Sequence, residues 1–206
     1  MEDSRAEKLL DIVIDTAGSG ITPLRSAKEL VEIYKFKYPE LTPHQLSEKL
    51  IHKESIKNFS TGFMTGISGF VTLPISVGTA GISSWLLQAR LVTAVALLNG
   101  YDEDDEKVRS LIKLSLMGDA AKEILKGAGV GAFNKLTASM IIKLPAAVFI
   151  QINRMIGLKV MQKITQRGSA VLLRTVPLSG GVIAGGIDYY STKRIGKTAL
   201  TLFSGH

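Results

Sequence analysis

Apolar residues recur at intervals of three and four along the chain, and no segment sustains the alternation of apolar and polar residues expected of a strand. This spacing is typical of helices that bury one face. A first short helix covers Leu9 to Ile14 and ends at Gly18-Ser19-Gly20. Thr22-Pro23 predicts the start of a second helix, because Thr can cap and Pro suits the first helical position. Thr42-Pro43 repeats this arrangement, with Gln45 at the capping-box spacing.

The most unusual segment is a run of 32 consecutive residues without a charge, from Asn58 to Ala89. About 20 apolar residues suffice to span a bilayer, but the glycines and Pro74 in this run disfavour one straight helix. The pattern instead predicts a helical hairpin, with one arm from about Ile56 to Phe70, a turn at Thr72-Leu73 and a second arm from Pro74 to Leu98. Whether this hairpin enters a membrane or forms a protein core stays open.

The rest of the chain also predicts helices. The acidic cluster Asp102 to Glu106 favours the N-terminus of a helix that runs through about Lys126, because carboxylates stabilise the positive end of a helix dipole. After the glycines of 127–131, the pattern predicts two helices or one helix kinked at Pro145. A last helix opens at Val176-Pro177 and continues toward Phe203, with small residues that allow close packing against the hairpin.

The chain of 206 residues therefore predicts an all-α fold in one domain, with a central Gly-rich apolar hairpin. Residues 1–57 form amphipathic helices, residues 58–101 the hairpin, and residues 102–206 a basic helical part. The first residues mix acids and bases and contain no uninterrupted apolar stretch, so we expect no secretory signal and a cytoplasmic protein. The absence of cysteine fits a reducing compartment and excludes disulfides and thiol chemistry.

Charge is concentrated near the C-terminus. The chain has a formal net charge of +7, and residues 122–206 alone carry twelve Lys or Arg against two acids. Such a segment can face nucleic acid or anionic lipid. Its aromatic residues are too sparse for a base-stacking platform, so we favour a membrane over nucleic acid as the partner.

Motifs for catalysis and cofactor binding are incomplete. Gly196-Lys197-Thr198 resembles the end of a phosphate-binding loop, but Ser191 stands where its first Gly is required. The three histidines form no ligand set, and the acidic cluster lacks the spacing of a calcium loop. We therefore predict no catalytic residue, no metal site and no cofactor.

Two charges stand isolated within apolar runs. Arg90 is the only charged residue between Lys57 and Asp102, and Asp188 is the only acid after Glu123. A buried charge needs a partner, so we expect these two to pair with each other, with Arg174, or with Gln88 and Tyr189. A structural polar contact and a ligand or headgroup site are both compatible with this pattern.

Candidate membrane contacts are the large apolar residues of the hairpin and the cations of residues 143–167. The cations interleave with long apolar side chains, as in a basic amphipathic helix at a membrane or in a core helix with solvated lysines. The candidates are Phe63, Phe70, Trp85, Lys143, Arg154, Lys159, Lys163 and Arg167.

Several segments resemble the EcsC family of bacterial proteins. They comprise Gly62 to Pro74, Leu87 to Asp102, Val176 to Gly181, and Ile187 to Ala199. Asp188 departs from the family pattern, in which Asn is typical before the tyrosine. The resemblance implies a helical, membrane-associated protein, accessory to transport or secretion, and it supplies no active site.

Three classes of function are compatible with these patterns. The first is a membrane-associated protein that binds anionic lipid or a protein partner in a membrane complex, peripheral to or embedded at the inner face of the cell membrane. The second is a soluble helical module that binds a protein or an apolar ligand, and the third is a hydrolase. Glycine-rich apolar helices also suit self-association, so a homo-oligomer is a further alternative.

Overall fold

The computed structural model describes residues 2–20, 24–67, 79–131, 137–170 and 179–204, and their fold is all-α. The helices of this part of the chain are α1 (Glu2–Ser19), α2 (Ala27–Lys37), α3 (Pro43–Ile67), α4 (Thr79–Leu98), α5 (Glu106–Leu116), α6 (Ala120–Gly127), α7 (Ala138–Ile141), α8 (Ala146–Ala170) and α9 (Ser179–Phe203).

Helix α4 is the central helix. Every residue from Gln88 to Ala96 is at most 5% exposed, and the helix packs against α1, α2, α3, α5 and α9. A helix that is apolar on all sides must be surrounded by other helices to shield it from water. The second arm of the predicted hairpin is therefore the core of the described fold.

Helices α3 and α9 form the most extensive helix pair. Gly185 lies against the backbone of Phe59, and Gly196 lies against the side chain of Ile51, so a Cβ at either position would meet α3 atoms at 2.8 Å. Because glycine has no side chain, the helix axes can approach closely at these two positions, as they do at small residues in packed helices generally. The predicted packing of the last helix against the first arm is observed.

Two predicted helix starts are wrong. The second helix begins at Ala27 with Ser26 as its cap, and Leu24 to Ser26 are not helical, so Thr22-Pro23 does not start it. Ser26 and Glu29 form a reciprocal capping box, which satisfies two backbone N–H groups together. No new helix starts near Ile56, because α3 continues from Pro43 to Ile67.

Other predicted segments consist of more helices than expected. The helix expected through Lys126 is broken into α5 and α6 at Gly118, whose φ of +60° is a left-handed conformation that favours glycine. Asp105 caps α5 by accepting hydrogen bonds from the backbone of Lys107 and Val108, as the acidic cluster predicted. Pro145 separates α7 from α8, while the turn at Thr72-Leu73 lies outside the described residues.

Candidate functional site

Arg90 is paired with a carboxylate that the sequence analysis did not single out. Its guanidinium donates to the side chain of Glu54, and these residues are 5% and 3% exposed. Nη1 of Arg90 also donates to the carbonyl of Arg25 at 3.4 Å. The expected ionic pairing of Arg90 with Asp188 is therefore wrong, and Arg174 lies outside the described residues.

Gln88 and Asp188 belong to a separate polar cluster between α3, α4 and α9. The hydroxyl of Ser84 donates to Asp188 at 3.2 Å and accepts from Asn58 and Gln88, each at 3.3 Å. Asn58 also donates to Thr192 at 2.6 Å. These bonds pair the side-chain amide donors of Asn58 and Gln88 and connect three helices, which is a structural role. The buried Oδ1 of Asn58 has no hydrogen-bond partner among the described residues.

Tyr189 is half-buried beside this cluster on α9. Its hydroxyl accepts a hydrogen bond from Lys193 at 3.4 Å, and the ammonium of Lys193 lies 5.5 Å from the ring centre. Tyr189 therefore contacts its own helix rather than Arg90.

A basic cavity of about 720 Å³ lies between α2, α3 and α4. Among the described residues, five cations from four segments line it, and no acid does. The cations are Arg25, Lys37, Lys53, Lys57 and Arg90. Glu54 is the adjacent carboxylate, and it binds Arg90 and, at 2.5 Å, Lys57. Positive charge therefore exceeds negative charge around this cavity.

Two tyrosines in the cavity wall have opposite pKa shifts. Burial, reinforced by the nearby charge of Glu54, raises the pKa of Tyr34 to about 12. Partial burial also acts to raise the pKa of Tyr38, but a hydrogen bond from Lys53 and the charges of Lys37, Lys53 and Lys49 outweigh it. The pKa of Tyr38 is therefore below the ordinary value of 10.0.

We expect Tyr38 to ionise before Tyr34 when the pH is raised. A phenolate is negative, so surrounding cations stabilise it and its proton leaves at lower pH, whereas burial disfavours the charge. Of the two absorbance changes that these tyrosines contribute as the pH rises, Tyr38→Phe should remove the early one and Tyr34→Phe the late one. An unchanged early component in Tyr38→Phe would contradict the positive potential at this wall.

The outward face of α8 is a second candidate site. Ile150 and Leu158 are 69% and 47% exposed, and the exposed Arg154 lies between them at a spacing of four residues. In a helix this spacing places all three side chains on one face. Met140, which is 51% exposed, and the exposed Lys143 lie just before the helix. Residues 137–170 contain no Asp or Glu.

The remaining membrane-contact candidates are distributed differently. The side chain of Lys159 is 35% exposed, and its ammonium group pairs with the carboxylate of Glu123 of α6 at 3.1 Å. Trp85 is only 9% exposed, so its ring packs inside the protein and is not part of an outward surface. Phe70 and the side chains of Phe63, Lys163 and Arg167 lie outside the described residues.

Neither site has the groups of a metal centre. Among the residues that the structure describes, no three His, Asp or Glu side chains lie close enough to hold a metal ion. In the same residues, no helix combines the length and hydropathy required to cross a bilayer.

Comparisons with family models, with curated proteins and with solved structures returned no match to this chain. The fold defines an all-α protein, and the resemblance to the EcsC family stays a prediction from the sequence.

Proposed function

We propose that the protein binds the anionic surface of a membrane, at the cytoplasmic leaflet, through the outward face of α8 and the turn before it. The observation that carries this proposal is the exposed stripe of Ile150, Arg154 and Leu158 in a segment without acids. A helix that presents apolar and cationic side chains together to solvent suits the boundary between lipid headgroups and acyl chains.

Charge complementarity supports a lipid partner. No carboxylate of residues 137–170 neutralises the exposed cations Lys143 and Arg154, and the net charge of the whole chain is +7. Each Lys or Arg held near an anionic leaflet contributes ~1 kcal/mol to binding, and this contribution falls with salt. Electrostatic attraction would therefore bring the protein to the surface.

Apolar insertion would then retain it. Ile150, Leu158 and Met140 each expose about half or more of their surface to water. Complete burial of such a side chain contributes roughly 1.5–3 kcal/mol, so shallow insertion of three supplies an attraction that salt does not screen. Binding with both components should weaken but persist as the ionic strength rises.

The proposal predicts weaker vesicle binding when the stripe is altered. Arg154→Glu should reduce partitioning into phosphatidylserine-containing vesicles by about 30-fold, because two units of charge change at the surface. Ile150→Ser should reduce it by about tenfold through lost insertion. Co-sedimentation with vesicles of defined lipid composition measures both effects.

Matched variants on α9 provide the control. Lys197→Glu makes the same change in net charge at an exposed position, and Ile187→Ser removes an apolar side chain that is 51% exposed. We expect both to bind vesicles as the unaltered chain does. Equal losses for the α8 and α9 variants would exclude α8 as the contact surface, as would no binding to anionic vesicles at any salt concentration.

A further inference from the structure

The basic cavity between α2, α3 and α4 is separate from the α8 surface. Its walls come from the N-terminal half of the chain, whereas α8 packs against α1, α5 and α6. Its cations also do not belong to the cationic C-terminal segment. The cavity therefore requires an explanation that membrane binding through α8 does not supply.

Several of its cations form no ion pair within the described part of the chain. Among the described residues, Arg25, Lys37 and Lys53 form no ion pair with a carboxylate, whereas Lys57 and Arg90 share Glu54. Like charges that converge on one concave surface repel each other, and they also raise the local concentration of anions. The neighbouring carboxylates are Glu54 and Glu29, which interacts electrostatically with Arg25, so five cations outnumber the acids beside them. This excess suits a ligand with more than one negative charge.

The geometry of the donors favours a phosphate group. The cationic residues of the lining belong to α2, α3, α4 and the segment before α2, so a tetrahedral anion in the cavity would have cationic residues on several sides. Phosphate oxygens accept several charge-assisted hydrogen bonds at once. Against the effect of partial burial, a hydrogen bond from Lys53 and the charges of Lys37, Lys53 and Lys49 lower the pKa of Tyr38, which agrees with a positive potential at this wall.

The other part of the lining is apolar. Leu24, Leu30, Ile33 and Leu87 form it, and the volume of about 720 Å³ lies within the range common for small-molecule sites. A bare inorganic ion would leave this apolar surface in contact with water. A ligand with a phosphate at one end and a hydrocarbon part at the other matches both halves of the lining.

We propose that this cavity binds the phosphate group of an amphiphilic ligand, with Arg25, Lys37, Lys53 and Lys57 around the phosphate and the leucine and isoleucine side chains against the apolar part. Arg90, fixed by Glu54, forms the buried end of the basic wall. The phosphate can belong to a membrane lipid or to a water-soluble monoester, because the chemistry of recognition is the same.

Calorimetric titration of the full chain tests this site with three probes: inorganic phosphate, short-chain phosphatidic acid below its micelle concentration, and vesicles containing long-chain phosphatidic acid. We expect saturable binding of the short-chain lipid, competition by inorganic phosphate at higher concentration, and a rise in the pKa of Tyr38 on binding. A lipid source requires that the vesicles bind as well. Binding of the short-chain probe without vesicle binding assigns the site to a water-soluble ligand.

The double variant Lys37→Gln and Lys53→Gln should bind the short-chain probe about a hundredfold more weakly, because two charge-assisted hydrogen bonds are lost. The control variant Lys35→Gln with Lys197→Gln has the same net charge but leaves the lining intact, so it should bind normally.

No saturable binding of either soluble probe, or equal losses in the two double variants, would overturn the proposal. Inorganic phosphate that binds as tightly as the short-chain lipid would overturn its apolar half. Arg154→Glu should leave the titration with short-chain lipid unchanged, so failure of the α8 proposal and failure of the cavity proposal can be told apart.

Discussion

Replacement of Arg90 by Met should lower the free energy of unfolding by about 3–5 kcal/mol, the usual cost of removing one partner of a buried ion pair. Glu54 is 3% exposed and would lose the guanidinium that now donates to it. Lys57 cannot compensate fully, because its own side chain is 58% exposed and its ammonium remains largely in water. Chemical denaturation followed by circular dichroism measures the loss.

Two further variants show whether the pair itself is responsible. Lys57→Met removes only the exposed partner of Glu54 and should cost at most about 1 kcal/mol. The double variant Glu54→Leu with Arg90→Met removes both buried charges, so it should recover most of the loss, as double-mutant analysis detects for residues in contact. An Arg90→Met protein that unfolds at the same denaturant concentration as the unaltered chain would contradict the role assigned to this pair.

Gly185→Ala should destabilise the protein by about 1–3 kcal/mol, because an added methyl group has no space between α3 and α9. Its Cβ would lie 2.8 Å from the carbonyl oxygen of Phe59 and 3.1 Å from the phenyl ring. Backbone atoms cannot move aside as a flexible side chain can, so the helices would have to separate.

The adjacent Gly186 provides a control with the opposite expected sign. No atom of the described residues lies within 4 Å of a Cβ built at this position. Gly186→Ala should therefore stabilise the helix by about 0.5–1 kcal/mol through its higher helix propensity. Thermal unfolding of the two variants makes the comparison. If both alanines shift the midpoint in the same direction, α3 and α9 do not pack as described.

The helices were predictable because local spacing and capping chemistry determine them. The acidic residues before α5 predicted its start, and Asp105 indeed caps it. Two local signals of similar strength indicate a helix start in this segment, and the prediction at Thr22-Pro23 followed the wrong one. Ser26 and Glu29 also have the capping-box spacing, and α2 begins after this later cap and packs against α4.

The buried partner of Arg90 was not predicted, although the sequence contained a signal for it. Glu54 follows Leu50 and Ile51 at helical spacing, so it belongs to the buried face of α3. An acid on an apolar face calls for a buried cation, and Arg90 was the isolated cation. Arg90 and Asp188 were expected to pair because both are isolated charges along the chain.

The basic cavity could not be predicted from segment charge. Residues 1–57 hold nine Lys or Arg and ten acids. Because these charges nearly cancel, the net charge of the segment gives no indication of a basic site. Tertiary packing brings Arg25, Lys37 and Lys53 together around one cavity, while Arg90 arrives from α4. In contrast, Arg154 was predicted as a membrane contact, and the exposure of Ile150 and Leu158 shows which face of α8 it shares.

The most direct test of membrane binding through α8 uses a single introduced cysteine, since the chain contains none. Ile150→Cys, labelled with a polarity-sensitive fluorophore, reports the α8 face, and Ile187→Cys with the same label reports α9. On addition of phosphatidylserine vesicles, the account predicts a blue shift and increased emission at position 150 and little change at position 187. An unshifted label at position 150, in protein that sediments with those vesicles, would contradict it.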